Sequence, residues 1–493
     1  MIRAHEPSAP TTNLMKTFTL MLATTAVAAA ALPAVGPDYQ RPSVPQASGW
    51  RDTEGLTAWK VAAPADGLDR GAWWKLFADP ELDGLEARAL AASPSLAAAA
   101  ARVEQARASA GLARSSYWPQ VAADGSLVRQ RTSRAVDNPL PVSIGNTYTA
   151  PLTATWEIDL FGRVRRLSES ARAEAEASAA NFAAARLSLT AEVASTYFTL
   201  RALEREQAIV HDTVALRQRA LELVRTRVRL GTAADLDAAR AETELASTEA
   251  DAAALANQHA AAQNALATLV GEPAPGFTLA RAAGAASTPP AVPGAMPAEL
   301  LERRPDVAAA ERSLAAANAR IGVAKAAFFP AISLTGAAGY ASGDVDRLFN
   351  ADARVWSIGP SVYLPIFQGG RNRANLARSR AAYDEAVAEF RQRVLVAFRD
   401  VQDALSATRY LGEEAVAQDR ALAAARRTLA LVQVRYDAGY VSYFEVIDAQ
   451  RTALATERAS VALTALRLNT SVALIKALGG GWHGPAGTLA ANP

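Results

Sequence analysis

Apolar and polar positions along the chain follow two different periods. Residues 163–230 and 371–438 contain no proline and only one glycine, Gly412, and they are rich in alanine, which favours helix. At 1.5 Å per residue, each segment predicts a helix of about 100 Å. Shorter segments alternate apolar with polar residues, and this period of two is typical of a β-strand with one apolar face.

Four segments of the alternating kind are predicted to be strands: about 120–131, 147–160, 331–342 and 355–367. The clearest runs from Tyr148 to Leu160, and its 13 residues exceed the length of about 9–11 that a tilted strand needs to cross a bilayer. Tyr148, Trp156, Tyr340 and Trp356 are candidates for aromatic girdles at a membrane interface. Any one of these segments alone also fits a strand of a soluble β-sandwich.

An internal duplication organises these segments. The interval from Gly162 to Gly231 has the same length as the interval from Gly370 to Gly439. The return intervals, from Gly231 to Gly271 and from Gly439 to Gly479, are also equal to each other. Such a fixed spacing predicts two copies of one structural unit.

The duplication predicts the following organisation. Repeat 1 spans 80–287, with a helix at about 80–117, two strands, a long helix 163–230 and a return helix 235–270. Repeat 2 spans 288–479, with a helix at about 296–328, two strands, a long helix 371–438 and a return helix 444–478. An extended arm at 35–79 precedes the repeats, and a flexible tail at 480–493 follows them.

Positions 1–34 have the features of a signal peptide. Lys16 is followed by an apolar, alanine-rich run to Leu32, and cleavage after Ala31 and cleavage after Ala34 both fit the small-residue rule. Met15 is the expected true start. The alternative, a membrane anchor, is disfavoured by Pro33, and no later segment supplies the roughly 18 apolar residues of a membrane-spanning helix.

Four strands of membrane-crossing length are too few to close a barrel, because small barrels need about eight. Open sheet edges are not tolerated in lipid, so several copies of the chain must share one barrel. The long helices leave the strands at the same place in both repeats and would continue the cylinder. The fold class is therefore an α+β membrane protein, and several copies together are expected to form a long conduit.

Four motifs identify a family resemblance: VGPDYQRP from Val35, WWKLFADP from Trp73, WEIDLFGR from Trp156 and GGGW from Gly479. They resemble TolC/OprM-like outer membrane efflux factors of the NodT type, over most of the mature chain. The resemblance implies a homotrimer with a 12-stranded barrel in outer-membrane lipid and a periplasmic α-helical barrel. It also implies partnership with a periplasmic adaptor (membrane fusion protein) and an inner-membrane pump, in small-molecule efflux and multidrug resistance.

One departure concerns the N-terminus. Members with this opening motif commonly carry a lipidated cysteine two residues before the valine, where this chain has Pro33. The chain contains no cysteine, so a thioether-linked lipid is excluded and the barrel alone is expected to anchor the protein.

Candidate functional residues lie at the turns between long and return helices. The resemblance implies that such tips dock the adaptor, and the residues at these positions are Leu230, Gly231, Thr232, Ala438, Gly439 and Tyr440. The alternative is that each glycine only supplies a positive φ at a helix end. Both roles are compatible.

Two further pairs match functional positions of the family. Glu445 and Asp448 share one helix face and match the acids of the periplasmic aperture, where threefold symmetry would make acidic rings. A solvated helix face is the plain alternative for such a pair. Tyr436 and Asp237 match a closed-state latch, which is weakened because Val441 stands where relatives carry an arginine.

Composition narrows the function classes. A net charge of +2 argues against a nucleic-acid partner, and the absence of cysteine excludes thiolate metal sites. The four histidines, His5, His211, His259 and His483, have no metal-ligand spacing, and no catalytic or cofactor motif is present. We therefore expect no enzyme, metal or cofactor; the competing interpretation is a coiled-coil structural protein without a pore. The cargo, pump and adaptor are open at this stage.

Overall fold

The computed structural model describes residues 34–44, 50, 71–133, 144–280, 289–290 and 304–480. The predicted signal peptide up to Pro33, most of the arm and the tail after Gly480 lie outside these residues.

Six of the seven helices in the described residues form pairs of equal length, one from each repeat, and the first helix has no such counterpart. In chain order they are α1 (Pro80–Ala92), α2 (Pro94–Ser115), α3 (Arg163–Arg229), α4 (Asp235–Leu269), α5 (Pro305–Ala326), α6 (Arg371–Asp437) and α7 (Tyr443–Ala477). The long helices α3 and α6 have 67 residues each, and the return helices α4 and α7 have 35 each. Across the described residues, no helix combines the length and apolar character that crossing a membrane requires.

The first predicted helix, about 80–117, is in fact two. Asp79 caps α1 by accepting hydrogen bonds from the backbone N–H groups of Glu81 and Leu82. The helix stops at Ser93, whose ψ of 117° is extended. Pro94, which begins α2, is the cause, because a proline ring disfavours helical geometry in the residue before it.

The strands form one antiparallel sheet. They are β1 (Gln120–Ala123), β2 (Ser126–Arg131), β3 (Ile144–Ile158), β4 (Ala331–Ser342) and β5 (Arg354–Tyr363). Both β1 and β2 pair with β3, so together they make one strand line that is interrupted at residues 124–125. The order across the sheet is then β1/β2, β3, β4, β5.

The last strand is shorter than the predicted 355–367. Because β4 begins at Ala331, directly opposite Tyr363, the residues after Tyr363 have no partner on that strand. Pro365 could not donate a ladder hydrogen bond in any case. Trp356 is the third residue of β5 and pairs with Ala338, which itself pairs with Leu152; the girdle positions stay a prediction.

The register gives the sheet one apolar and one polar face. Residues directly opposite each other in an antiparallel pair point to the same side. The apolar side carries the row Ile158, Ile332 and Val362, and the neighbouring row on the polar side is Glu157, Ser333 and Ser361. The apolar positions of neighbouring strands therefore lie on the same face of the sheet.

Two compact units divide the chain, and neither is a repeat. Unit 1 comprises Met1–Ser43, Val103–Ser178 and Ala310–Phe390 and contains the sheet. Unit 2 comprises Val44–Arg102, Ala179–Ala309 and Arg391–Pro493. Each unit takes segments from both repeats, so the duplicated sequence does not fold as two successive domains.

Within unit 1, the start of the arm is held by polar contacts. The Val35 N–H donates to Phe161 O at 3.0 Å, and Arg166 Nη2 donates to Asp38 Oδ1 at 2.7 Å. Asn318 Nδ2 donates to Pro37 O at 3.0 Å. Arg166 belongs to the first repeat and Asn318 to the second, so this short segment joins both.

Within unit 2, the main core forms around the WWKLF motif. Trp73, Trp74 and Phe77 are buried, and they belong to one apolar cluster with residues of α1, α3, α4 and α7. Trp73 Nε1 donates to Thr190 Oγ1 at 3.1 Å, which satisfies the indole in this apolar setting. The motif thus anchors the segment before α1 to the helices.

Candidate functional site

The two helical hairpins, α3–α4 and α6–α7, end in turns of the same design, and we call these turns the tip. Gly231 and Gly439 have φ values of 73° and 78°. The N–H of the residue after each glycine bonds a carbonyl five residues back, Thr232 to Arg227 O and Tyr440 to Arg435 O, both at 2.9 Å. This is the Schellman ending of a helix, which requires a left-handed residue at the glycine position.

The six residues predicted to dock an adaptor are largely exposed at these turns. Leu230 and Tyr440 expose 73% and 78% of their surface, respectively. Nothing lies within 4 Å of a Cβ built on either glycine, so the backbone conformation alone demands glycine. The tip therefore presents large apolar side chains on rigid, short turns.

A small apolar core lies next to the tip. Its buried residues come from three helices: Leu221, Val224, Ala241, Tyr443, Val446 and Ile447. Tyr436 packs against it from the end of α6, and its ring lies 5.7 Å from that of Tyr443. Because these residues belong to both repeats, the two hairpins pack as one body near their turns.

Glu445 and Asp448, the predicted aperture acids, lie on α7 with exposed side chains. The residues between them, Val446 and Ile447, are buried in the apolar core. No ion pair joins either acid to a basic residue in the described part of the chain. The two carboxylates therefore project from the opposite side of α7 to the one that packs.

Tyr436 and Asp237, the predicted latch pair, each have another partner. Arg227 Nη1 donates to Tyr436 Oη at 2.8 Å, and the Arg227 guanidinium lies 5.0 Å from the centre of the Tyr436 ring. The Asp237 carboxylate is 3.9 Å from Arg240 Nη1 on its own helix. No hydrogen bond joins Tyr436 to Asp237 among the described residues, and Tyr436 Oη instead accepts from Arg227.

A charged network lies beyond the tip core, and our reading of the sequence missed it. Glu244 on α4 has a buried side chain that accepts from Arg217 of α3 and from Arg451 of α7. Arg217 is also buried, and it donates to the Glu244 carbonyl at 2.7 Å and to Thr248 Oγ1. Burial lowers the pKa of Arg217, an effect that the carboxylate of Glu244 opposes.

A second group of charges follows further along the same helices. Arg458 on α7 donates to Asp251 of α4 at 3.1 Å and to Glu206 of α3 at 2.6 Å. Glu244 and Asp251 are seven residues apart in the sequence, and so are Arg451 and Arg458. That spacing is the one signal in the sequence that would have pointed to these pairs.

The described residues contain no group of three or more His, Asp or Glu side chains placed to hold a metal ion.

Comparison with known proteins identifies similar chains. The sequence matches the family "Outer membrane efflux protein" over residues 85–272 and 296–480, one segment for each repeat. It is 37% identical over 454 residues to outer membrane protein OprJ of Pseudomonas aeruginosa, covering 91% of this chain and 93% of OprJ. It is 32% identical over 451 residues to the cation efflux system protein CusC of Escherichia coli O6:H1, covering 91% and 96%.

A solved structure is similar over most of the chain. The open state of the MtrE outer membrane channel of Neisseria gonorrhoeae superposes with a TM-score of 0.78 at 33% identity, covering 91% of this chain and 98% of that one.

Proposed function

This chain belongs to the outer membrane efflux protein family, and from that premise we propose that three copies form a continuous conduit that exports small molecules through the periplasm and the outer membrane. The predicted resemblance to TolC/OprM-like efflux factors is confirmed, and so are the efflux function and the outer-membrane location. The competing interpretation, a coiled-coil structural protein without a pore, is disfavoured. The NodT subtype stays a prediction.

The β-sheet is the observation that supports a trimer. Its outer strand lines, β1/β2 and β5, each pair on one side only within the described residues. One face is apolar, yet four strand lines are about half of what the smallest barrels use. If β5 of one copy pairs with β1/β2 of the next, three copies close a 12-stranded barrel without a free edge.

We propose that the tip docks a periplasmic adaptor, which links the conduit to an inner-membrane pump. Leu230 and Tyr440 supply exposed apolar contacts, and the Schellman turns hold them in a fixed geometry. A partner that presents complementary helical hairpins fits this surface, because two short turns leave grooves between hairpins. The alanine-rich helices offer little chemistry for selecting cargo, so we assign that choice to the pump.

At the same end, we propose that Glu445 and Asp448 form acidic rings around the aperture. Three copies of each exposed carboxylate would concentrate cations at the entrance and raise a barrier to anions. The closed-state latch of Tyr436 and Asp237 stays a prediction, and we propose that the hydrogen bond from Arg227 to Tyr436 also contributes to it.

The pore itself is tested by purification from outer membranes followed by conductance in planar bilayers. We expect a heat-modifiable trimer that conducts ions. A monomer in the soluble fraction would contradict the proposal.

The acidic rings are tested by the double variant Glu445→Gln/Asp448→Asn. It should lower the preference for cations over anions, measured as the reversal potential in a salt gradient. The control is Asp419→Asn, an exposed acid on α6 that lies about 27 Å from the end of that helix. An equal shift in the control variant would assign the selectivity to overall charge.

A further inference from the structure

Two ion pairs between the return helices share one register. Glu244 pairs with Arg451, and Asp251 pairs with Arg458. Both pairs join α4 of the first repeat to α7 of the second, with the same sequence offset of 207. The two helices therefore run parallel, and a spacing of seven residues keeps successive pairs on the facing sides. We call these two pairs the ladder.

The ladder is supported from α3. Arg217 holds the second oxygen of Glu244 at 3.0 Å, and Glu206 holds Arg458 at 2.6 Å. The Glu244 side chain is only 8% exposed, whereas that of Arg451 is 60% exposed. A buried carboxylate held between two guanidinium groups is a strong positioning device, because removing either partner leaves a desolvated charge.

The ladder stops one heptad before the tip. At the same offset, Asp237 would face residue 444, but that residue is Phe444, which packs under the Arg240 guanidinium at 5.4 Å. Among the described residues, the Asp237 carboxylate has a single ionic contact, with Arg240 at 3.9 Å on its own helix. About 10 Å of each return helix next to the turns therefore lacks an ionic tie between α4 and α7 among the described side chains.

We propose that the ladder fixes α7 against α4 and that the missing pair at Asp237 and Phe444 sets the length of helix that moves when the conduit opens. Glu244, Asp251, Arg451 and Arg458 are then positioning residues for gating. This inference rests on the proposed channel function. Glu445 and Asp448 lie within the segment that has no ion pair between α4 and α7, on the side of α7 opposite to the tip core.

The test uses single-channel recording of the trimer in planar bilayers. Arg451→Gln and Glu244→Gln each break the same pair, so each should raise the fraction of time spent conducting, about fivefold. The two substitutions change the local charge in opposite directions. A purely electrostatic effect on permeating ions would therefore move conductance in opposite directions, and that outcome would overturn the proposal, as would no change in either variant.

Matched variants complete the design. Arg451→Lys keeps the charge and should stay close to the wild-type protein. Arg426→Gln removes a pair with Glu457 between α6 and α7 of a single repeat, from an arginine that is also 60% exposed, and should have no effect. If Arg426→Gln opens the channel as much as Arg451→Gln does, the tie between repeats has no special role.

The missing pair is tested by adding it. Phe444→Arg supplies a partner for Asp237 and should lower the conducting fraction, because the ladder then reaches the tip. An unchanged or higher conducting fraction would refute the proposed length of the moving segment. A wild-type trimer that does not conduct at all would instead refute the channel function, which separates the two failures. Arg451→Gln and Phe444→Arg alter exposed side chains, so the test stands even if Glu244→Gln fails to fold.

Discussion

Arg227 and Tyr436 interact in two ways at once. Arg227 Nη1 donates to the phenolic oxygen at 2.8 Å, and the guanidinium lies 5.0 Å from the centre of the same ring. The pair joins the last turns of the two long helices, α3 and α6. The Arg227 guanidinium therefore makes a cation–π contact and a hydrogen bond with the same tyrosine. Because both contacts depend on orientation, the pair fixes the two hairpins in one relative position.

This geometry predicts which side chains keep the tip closed. Arg227→Gln should raise the conducting fraction in planar bilayers about fivefold, because both contacts with Tyr436 are lost. Tyr436→Phe should have a smaller effect, since the ring remains. Asp237→Asn should change little, because its only ionic contact among the described residues is at 3.9 Å on its own helix. A large effect of Asp237→Asn with none of Arg227→Gln would restore the original latch pair.

A side chain at the glycine of the first turn should destabilise the protein. Gly231→Ala places an L-residue at a φ of 73°, which costs about 1 kcal/mol although space is available. We expect a lower midpoint in thermal dissociation of the trimer. Gly412→Ala is the control: this glycine lies inside α6 with nothing within 4 Å of a Cβ, and the same substitution should stabilise the helix by about 0.5–1 kcal/mol. Equal effects of the two substitutions would contradict the turn argument.

The free energy of unfolding should decrease as the pH rises, because Glu86 is buried. Its side chain is fully buried with both oxygens unpartnered, and burial, aided by Asp83, raises its pKa to about 9. Between the unfolded value of 4.5 and about 9, the unfolded chain releases this proton while the folded chain keeps it. The folded state binds more protons over that window, so its stability decreases there as the pH rises.

Glu86→Gln tests this sign. We expect the variant to have a higher melting midpoint than the wild-type protein at pH 8 and a smaller difference between pH 5 and pH 8. Glu104→Gln, an exposed glutamate on α2, is the control and should leave both values unchanged. If Glu86→Gln melts below the wild-type protein at pH 8, the carboxylate is ionised and has a partner.

The two faces of the sheet should respond differently to charge. Leu152→Arg places a guanidinium on the apolar face near the middle of β3, which costs about 2–4 kcal/mol in lipid. Thr155→Arg places the same side chain on the polar face of the same strand. We expect the first variant to reduce the amount of trimer in outer membranes far more than the second. Equal losses would argue against lipid contact on the Leu152 face.

Much of the architecture was predictable because its signals are local. The alternation of β3 depends on each residue's neighbours along the strand, and the long helices follow from the lack of glycine and proline. The break between α1 and α2 also had a local signal in Pro94, which our interpretation of 80–117 as one helix overlooked. The local signal for the end of β5 at Tyr363 was weaker, because that end depends on where the opposite strand, β4, begins.

The pairings at the tip had almost no local signal. Tyr436 and Asp237 were assigned to each other by resemblance, but the partner of Tyr436 depends on which residues α3 presents to α6. Glu244 and Arg451 are far apart in the sequence and come from different repeats. Their seven-residue spacing from Asp251 and Arg458 predicts a shared helix face and does not identify the helix that lies opposite.

The sequence by itself therefore determined the two repeats, the long and return helices, the presence of the strands and the family. Each of these depends on periodicity or on motifs that a single segment carries. Only the tertiary structure decided how the repeats combine into two mixed units, which carboxylate meets which guanidinium and where the ladder ends. The physical reason is that ion pairs and hydrogen bonds form within about 3–4 Å, so a shift of one residue between two helices changes every partner while leaving each helix's own pattern intact.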